Sequence, residues 1–103
     1  MKKRTRLPSL SEIAREIRNI AKDSANVFFT AHAENETKMD RLTTADVLQA
    51  LRGCRVSEIE PSERYKTEGR TAMGVAVAVV VQILTVEGGG RLRVITVWRI
   101  KPS

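Results

Sequence analysis

The sequence feature that most constrains the fold is an uninterrupted apolar run at residues 75–81, which consists only of valine and alanine. Valine is branched at Cβ and favours extended backbone. A run that is apolar on both of its faces is typical of a strand with neighbours on both sides. The sequence therefore predicts a sheet in which residues 75–81 form a central strand.

The residues before this run follow a helical period. Ser9 stands three residues before Glu12, and Thr43 stands three residues before Asp46, which is the spacing of helix-capping pairs. Apolar residues then recur every three or four positions, and Gly53 provides a stop. This pattern predicts helices over residues 9–24, 31–39 and 44–52. Residues 26–30 are predicted to be a break whose apolar residues, Val27, Phe28 and Phe29, anchor in the core.

From Cys54 onward the period changes to two, which predicts strands over residues 56–60, 64–68 and 91–100 in addition to the central run. Turns are expected at residues 69–70 and at the glycine triplet 88–90. In the last strand, alternation puts Leu92, Val94, Trp98 and Ile100 on the core face and Arg91, Arg93 and Arg99 on the other face. The predicted fold class is α+β, with N-terminal helices packed on a four-stranded, mainly antiparallel sheet.

The 103 residues have room for one domain, predicted over residues 9–103 and preceded by a flexible basic arm at residues 1–8. The formal net charge is +6, and the arm alone supplies four positive charges. This balance favours an anionic partner, which is a nucleic acid, an acidic protein or a membrane surface, although solvated surface cations would give the same sum. The single cysteine allows no internal disulfide, and no signal peptide or membrane-spanning run is recognisable. We therefore expect a cytoplasmic protein without membrane contact, metal or cofactor.

The first candidate for chemistry is a trio on the second predicted helix. His32, Glu36 and Asp40 are spaced by four residues and share one helix face. An imidazole oriented by a carboxylate moves protons near neutral pH, as a ribonuclease requires when it deprotonates a 2′-hydroxyl. The same trio is compatible with a divalent metal ion, or with a purely structural role at a solvated helix surface.

The second candidate is a group of cations on predicted strands. Arg64 and Lys66 share one face of their strand and Arg70 follows, so these side chains suit a phosphate group. Tyr65, on the opposite face, is a candidate acid, base or stacking group. Arg93 and Arg99 suit a phosphodiester backbone, whereas Trp98 is expected in the core. The alternative is a charged strand that resists edge-to-edge pairing.

The sequence also resembles a small bacterial domain family that is commonly encoded beside antitoxins of the MqsA type. The resemblance covers about residues 10–100 and rests on the motif Phe29-Thr30-x-His32-Ala33-x-x-Glu36-x-x-x-Asp40-x-Leu42-Thr43-x-x-Asp46-Val47-x-x-x-Leu51-Arg52. It extends to the Arg-Tyr-Lys strand, the valine-rich strand and the closing Val94-Ile95-Thr96-Val97-Trp98-Arg99. The family is similar in predicted layout to the RelE, BrnT and MqsR toxins.

The resemblance implies a toxin of a type II toxin–antitoxin system that cleaves RNA, on or off the ribosome, without a metal ion. In that role His32, Glu36 and Tyr65 would be catalytic, and Arg64, Lys66, Arg70, Arg93 and Arg99 would bind RNA. The implied partners are RNA and a cognate antitoxin of the zinc-binding helix-turn-helix kind. Two alternatives stay open, namely a non-catalytic module that binds nucleic acid or protein through the same sheet, and a small inhibitory protein. The oligomeric state has no signature in the sequence.

Overall fold

The computed structural model describes residues 9–86 and 89–101, and the predicted arm at residues 1–8 lies outside them. The described chain contains three α-helices, namely α1 (Leu10–Ala21), α2 (Ala31–Met39) and α3 (Thr44–Arg52). A short 3₁₀ turn, Ser24–Asn26, follows α1. The five strands are β1 (Val27–Phe29), β2 (Arg55–Glu60), β3 (Arg64–Arg70), β4 (Ala76–Val86) and β5 (Gly89–Arg99). The predicted α+β class is confirmed.

Capping boxes fix the starts of α1 and α3. The Ser9 hydroxyl accepts the Glu12 N–H at 3.1 Å, and the Glu12 carboxylate accepts the Ser9 N–H at 2.7 Å. Thr43 and Asp46 make the same reciprocal pair at α3. Each box satisfies two backbone donors that a helix start leaves unpaired. Helix α1 ends at Ala21, earlier than the predicted residue 24, and the 3₁₀ turn occupies the segment beyond it.

The sheet is mixed and has five strands, whereas four were predicted. Its order is β1-β5-β4-β3-β2, with β1 parallel to β5 and every other neighbour antiparallel. The additional strand, β1, lies in the segment that was predicted to be a break, and its three residues are too few to show a period. Val27 and Phe29 contact the core, but Phe28 is 50% exposed, so the expectation that it anchors in the core was wrong.

Two predicted turns are parts of strands. Gly69 pairs with Val77 and Arg70 pairs with Ala76, so β3 continues through the position where a turn was expected. The chain reverses at residues 71–75 instead, where the Thr71 hydroxyl accepts the backbone N–H groups of residues 73 and 75. The predicted turn at the glycine triplet is also revised, because Gly89 and Gly90 belong to β5, while Gly88 lies outside the described residues.

The helices cover one face of the sheet, which we call the helix face. The core there joins Ile17 of α1 and Leu51 of α3 to Val77, Val79 and Val81 of β4, all of them fully buried. The even-numbered β4 residues Ala78 and Val80 lie outside this core cluster, on the opposite side of the sheet. We call that side the outer face, and the paired residues Arg64, Lys66 and Glu68 of β3 lie on it.

A β-bulge in β5 reverses the direction of its last side chains. Val81 pairs with Val94 while Val80 pairs with Thr96, so Ile95 has no partner on β4. The inserted residue shifts the alternation by one position. Val97 and Arg99 therefore lie on the helix face, opposite Val79 and Val77, and Trp98 lies on the outer face, opposite Ala78. The predictions of Trp98 in the core and of Arg99 on the uncovered face were both wrong for this reason.

The described helices are all short, and none has the combination of length and apolar character that a bilayer crossing requires.

Candidate nucleic-acid interface

Three cross-strand rows of side chains make up the centre of the outer face. One row joins Arg64, Gln82 and Arg93, as the pairing of β3, β4 and β5 dictates. The next rows are Lys66–Val80–Thr96 and Glu68–Ala78–Trp98. Directly paired residues of a sheet point to the same side, so three cations and a tryptophan share this surface. The structure thus brings together the predicted phosphate-binding residues Arg64, Lys66 and Arg93.

These three cations have no carboxylate within ion-pair distance in the part of the chain that the structure describes. Glu60 and Glu58 of β2 are paired in register with Arg64 and Lys66, yet neither makes a salt bridge with them. The buried Nε of Arg64 also has no hydrogen-bond partner within the described residues. Glu58 and Glu60 lie on β2 at the edge of the sheet, and Glu68 in the central rows is ion-paired with Arg55. No ion pair within the described residues therefore compensates the charges of Arg64, Lys66 and Arg93.

Lys66 leans across the sheet toward β5 and away from the acids of β2. Its Nζ lies 5.4 Å from the centroid of the Trp98 ring, which is within the range of a cation–π contact. Both side chains are half-buried. This contact holds a cation and an aromatic ring side by side on one surface.

A second aromatic ring lies on the same surface. Phe28 of β1 pairs with Arg93 of β5 and is half exposed, as described above. Phe28 thus lies beside Arg93 on the neighbouring strand, and Trp98 lies farther along β5 on the same side of the sheet. Cations on the same surface as partly exposed aromatic rings suit the phosphates and the unstacked bases of a single-stranded nucleic acid.

The predicted catalytic pair, His32 and Glu36, lies on α2 at the edge of β5 that β1 leaves unpaired. The His32 Nε2 is 3.1 Å from the Glu36 Oε2, and the imidazole side chain is 67% exposed. The other carboxylate oxygen of Glu36 accepts the Val97 N–H at 2.9 Å. Glu36 therefore links the imidazole to the backbone of β5 at Val97, the residue before Trp98.

Asp40, the third member of the predicted trio, has a structural contact instead. Its carboxylate accepts the Arg99 N–H at 2.7 Å, and the Arg99 Nη2 donates to the Asp40 carbonyl oxygen at 2.9 Å. Arg99 thereby binds the C-terminal end of α2, where a positive charge is favourable. Arg99 does not join the outer-face cations, so its predicted place among them is corrected.

Tyr65 and Arg70 also lie apart from the centre of the outer face. Tyr65 pairs with Val81 and is partly buried against the core on the helix face, opposite its neighbours Arg64 and Lys66. The strand alternation that separates Tyr65 from these cations was visible in the sequence. Arg70 is at the end of β3, and its Nη1 donates to the Gly74 carbonyl oxygen at 2.9 Å.

The only cysteine is a core residue. Cys54 is 1% exposed, and burial raises the pKa of its thiol from the ordinary value of 9.0 to about 11, against a smaller opposing effect of the Arg18 charge. A thiol with this pKa is protonated at neutral pH and is a poor nucleophile. Cys54 therefore has no place in the candidate site.

Residues 9–86 and 89–101 contain no group of three or more His, Cys, Asp or Glu side chains arranged to hold a metal ion. His32, Glu36 and Asp40 share a helix face, but Glu36 and Asp40 direct carboxylate oxygens to two backbone N–H groups of β5.

Sequence reasoning missed the two aromatic residues of the outer face. Phe28 was missed because β1 is too short for its alternation to be read. Trp98 was missed because the bulge at Ile95 has no glycine or other recognisable signature. The uneven spacing of the fully buried residues Leu92, Val94 and Val97 reveals the extra residue only once their burial is known from the structure.

In comparisons with known proteins, no family model matches this chain, and no curated protein gives a significant match.

Proposed function

We propose that the protein binds single-stranded nucleic acid through the outer face of its sheet. The observation that carries this proposal is the cluster of Arg64, Lys66 and Arg93, which lies beside two aromatic rings and has no carboxylate partner among the described residues. Phosphate contacts supply most of the affinity in such complexes. Stacking on aromatic rings adds affinity for any base, since every base has a flat face.

The distribution of charge on the outer face indicates where a nucleic-acid strand would bind. The acids Glu58 and Glu60 lie on β2 at one edge of the sheet, and Arg55 of that strand is ion-paired with Glu68. A polyanion is repelled from that edge and attracted to the β4–β5 side, where Arg91 and Arg93 lie with Phe28 and Trp98. We therefore infer that the strand lies along β5, with Lys66 reaching it from β3.

Charge reversal tests this proposal. The double variant Lys66→Glu/Arg93→Glu is expected to weaken binding of an RNA or DNA oligonucleotide of about 12 nucleotides by tenfold or more, because two phosphate contacts become repulsive. Fluorescence anisotropy at about 50 and 200 mM salt would give the affinities, and the salt slope should become shallower in the variant. Trp98 is the only tryptophan, so its intrinsic emission should change when the oligonucleotide binds the wild-type protein.

The matched control is Arg15→Glu/Lys22→Glu, which changes the net charge by the same amount at exposed positions of α1 and its C-cap. It should retain most of the affinity. Equal losses of affinity in both variants would mean that binding depends on the net charge alone. An unchanged Trp98 emission on binding would mean that the oligonucleotide binds at another surface. Either result would refute the proposed interface.

A second candidate function is RNA cleavage, and the His32–Glu36 contact favours it. Glu36 is held by the Val97 N–H and in turn holds one imidazole nitrogen, so the second nitrogen, Nδ1, is left to exchange a proton with a 2′-hydroxyl. In this reaction Nδ1 takes the proton of the 2′-hydroxyl, and the 2′-oxygen attacks the adjacent phosphorus. The bond between phosphorus and the 5′-oxygen breaks, the 5′-oxygen takes a proton from water, and a 2′,3′-cyclic phosphate forms. A carboxylate that orients an imidazole and stabilises its protonated form serves the same purpose in hydrolases. Such an enzyme would be the toxin that the sequence resemblance implies, with an antitoxin as its partner.

The cleavage proposal predicts that wild-type protein converts RNA into fragments with 2′,3′-cyclic phosphate ends and leaves DNA intact. His32→Ala should reduce the rate by about a hundredfold or more, because proton transfer by a positioned group contributes at least that much. Glu34→Ala, an exposed substitution on the same helix, should leave the rate unchanged. RNA that stays intact, or cleavage that persists in His32→Ala, would reject cleavage while leaving the binding proposal to its own test.

A further inference from the structure

A cavity of about 550 Å³ opens at one end of the sheet, away from the centre of the outer face. It lies where the end of β3, the start of β4 and the end of β5 meet. Three cationic side chains line it, namely Arg70, Arg99 and Lys101, and Val75 and Ile100 supply apolar surface. No acidic residue is among the lining residues. The lining therefore carries three positive charges and no negative one, and the cavity has room for more than a simple anion.

The two arginines reach this cavity from opposite faces of the sheet. Arg70 comes from the outer-face side of β3, and Arg99 comes from the helix face of β5. Each guanidinium is held by a neutral carbonyl group, Arg70 by the Gly74 oxygen and Arg99 by the Asp40 oxygen. Carbonyl contacts fix the position of a guanidinium without neutralising its charge. Within residues 9–86 and 89–101, neither arginine nor Lys101 makes an ion pair.

The backbone of the adjoining loop contributes few free donors. The Gly74 N–H donates to the Thr71 carbonyl oxygen, and the Met73 and Val75 N–H groups donate to the Thr71 hydroxyl. An anion in this cavity must therefore be bound by the cationic side chains. Guanidinium groups bind phosphate oxygens in pairs of parallel hydrogen bonds, and a lysine adds a further charge.

We propose that this cavity binds a phosphomonoester, with the terminal phosphate between Arg70, Arg99 and Lys101. A phosphomonoester carries close to two negative charges at neutral pH, which suits a cavity lined by three cations better than the single charge of a phosphodiester does. The volume lies in the range of small-molecule sites, and Val75 and Ile100 give apolar surface for the organic group beyond the phosphate. This phosphomonoester belongs either to a free nucleoside monophosphate or to the 5′-phosphate end of a nucleic-acid strand. Arg64, Lys66 and Arg93 do not line this cavity, so this inference does not depend on the proposed function.

Calorimetry with adenosine monophosphate and with adenosine tests the site. The wild-type protein should bind the monophosphate measurably more tightly than the nucleoside. Arg70→Gln/Lys101→Gln should weaken binding of the monophosphate by about tenfold or more, because two charge-assisted contacts are lost. Arg15→Gln/Lys22→Gln removes the same charge from α1 and its C-cap, and the affinity for the monophosphate should stay unchanged. Arg99 is kept in these variants because its guanidinium also binds the end of α2.

A pair of RNA oligonucleotides, one with a 5′-phosphate and one with a 5′-hydroxyl, identifies the source of the group. If the 5′-phosphate oligonucleotide binds more tightly than both the 5′-hydroxyl oligonucleotide and the free monophosphate, the natural ligand is a strand end. If the free monophosphate binds as tightly as the 5′-phosphate oligonucleotide, the natural ligand is a nucleotide. Absence of any preference for a phosphate, or a preference that survives Arg70→Gln/Lys101→Gln, would overturn the site. The Lys66→Glu/Arg93→Glu variant should keep its affinity for the monophosphate, so failure of the outer-face proposal is distinguishable from failure of this one.

Discussion

Replacing Gly69 with alanine is expected to destabilise the protein by about 3 kcal/mol or more, which is at the severe end of single substitutions. A Cβ atom on Gly69 would lie 2.0 Å from the Ala50 carbonyl oxygen and 2.8 Å from its carbonyl carbon. Both are backbone atoms of α3, so relief requires the helix to move away from β3. Because α3 supplies the fully buried Val47 and Leu51 to the core, its displacement would disturb the packing of the helix face.

Thermal unfolding would measure this effect, and a loss of that size lowers Tm by roughly 15 °C in a domain of this length. Gly53→Ala is the matched control, because a Cβ at Gly53 has no heavy atom within 4 Å and its φ of −128° is open to any residue. The control should unfold close to the wild-type temperature. A Gly69→Ala protein as stable as the Gly53→Ala protein would show that α3 and β3 are not in close contact.

The double variant Glu36→Ala/Asp40→Ala is expected to lose about 3 kcal/mol of stability and to self-associate. In the native fold the two carboxylates accept the N–H groups of Val97 and Arg99, at the edge of β5 that β1 leaves unpaired. A hydrogen bond to a charged acceptor contributes about 1.5–3 kcal/mol when its loss leaves the donor unsatisfied. The uncovered edge would also present free strand donors to another molecule, which favours edge-to-edge association.

Urea unfolding and size-exclusion chromatography would measure the two effects. Glu16→Ala/Glu34→Ala removes the same charge from exposed positions and should do neither. Glu36→Gln/Asp40→Asn keeps an oxygen acceptor at each position and should retain most of the stability. If the alanine pair were as stable and as monodisperse as the Glu16→Ala/Glu34→Ala protein, α2 would have no role in covering the strand edge.

The sequence was sufficient to predict the helices because their signals are local. The predicted ranges 31–39 and 44–52 coincide with α2 and α3, and both are bounded by side chains that bond backbone groups three residues away. The valine-rich strand was also predicted correctly as central, since β4 has β3 and β5 on its two sides. In each case the information lies within a few residues of the element that it specifies.

The sheet was predicted less completely because its missing features depend on distant residues. Strand β1 exists through its parallel pairing with residues 92–94 of β5, more than sixty positions away in the sequence. The continuation of β3 through Gly69 depends on how closely α3 approaches it. The residue pattern within one segment shows neither its pairing with a distant strand nor its contact with a helix. Both segments were therefore predicted as turns or breaks.

The candidate site likewise combines features that nearby residues specify with features that depend on distant residues. The pairing of His32 with Glu36 and the shared face of Arg64 with Lys66 follow from helix and strand periods. The exchange of Trp98 for Arg99 on the outer face follows from one unpaired residue, Ile95, whose insertion no local pattern indicates.

The sequence by itself determined the helices, the caps of α1 and α3 and the central valine strand, because hydrogen bonds and side-chain periods of nearby residues specify these. Only the tertiary structure decided which side chains from different strands and helices share a surface. That outcome depends on strand register, and register is set by the joint packing of the whole helix face against the sheet. A shift of one residue in β5 was enough to move a tryptophan onto the outer face and to turn an arginine toward the end of α2.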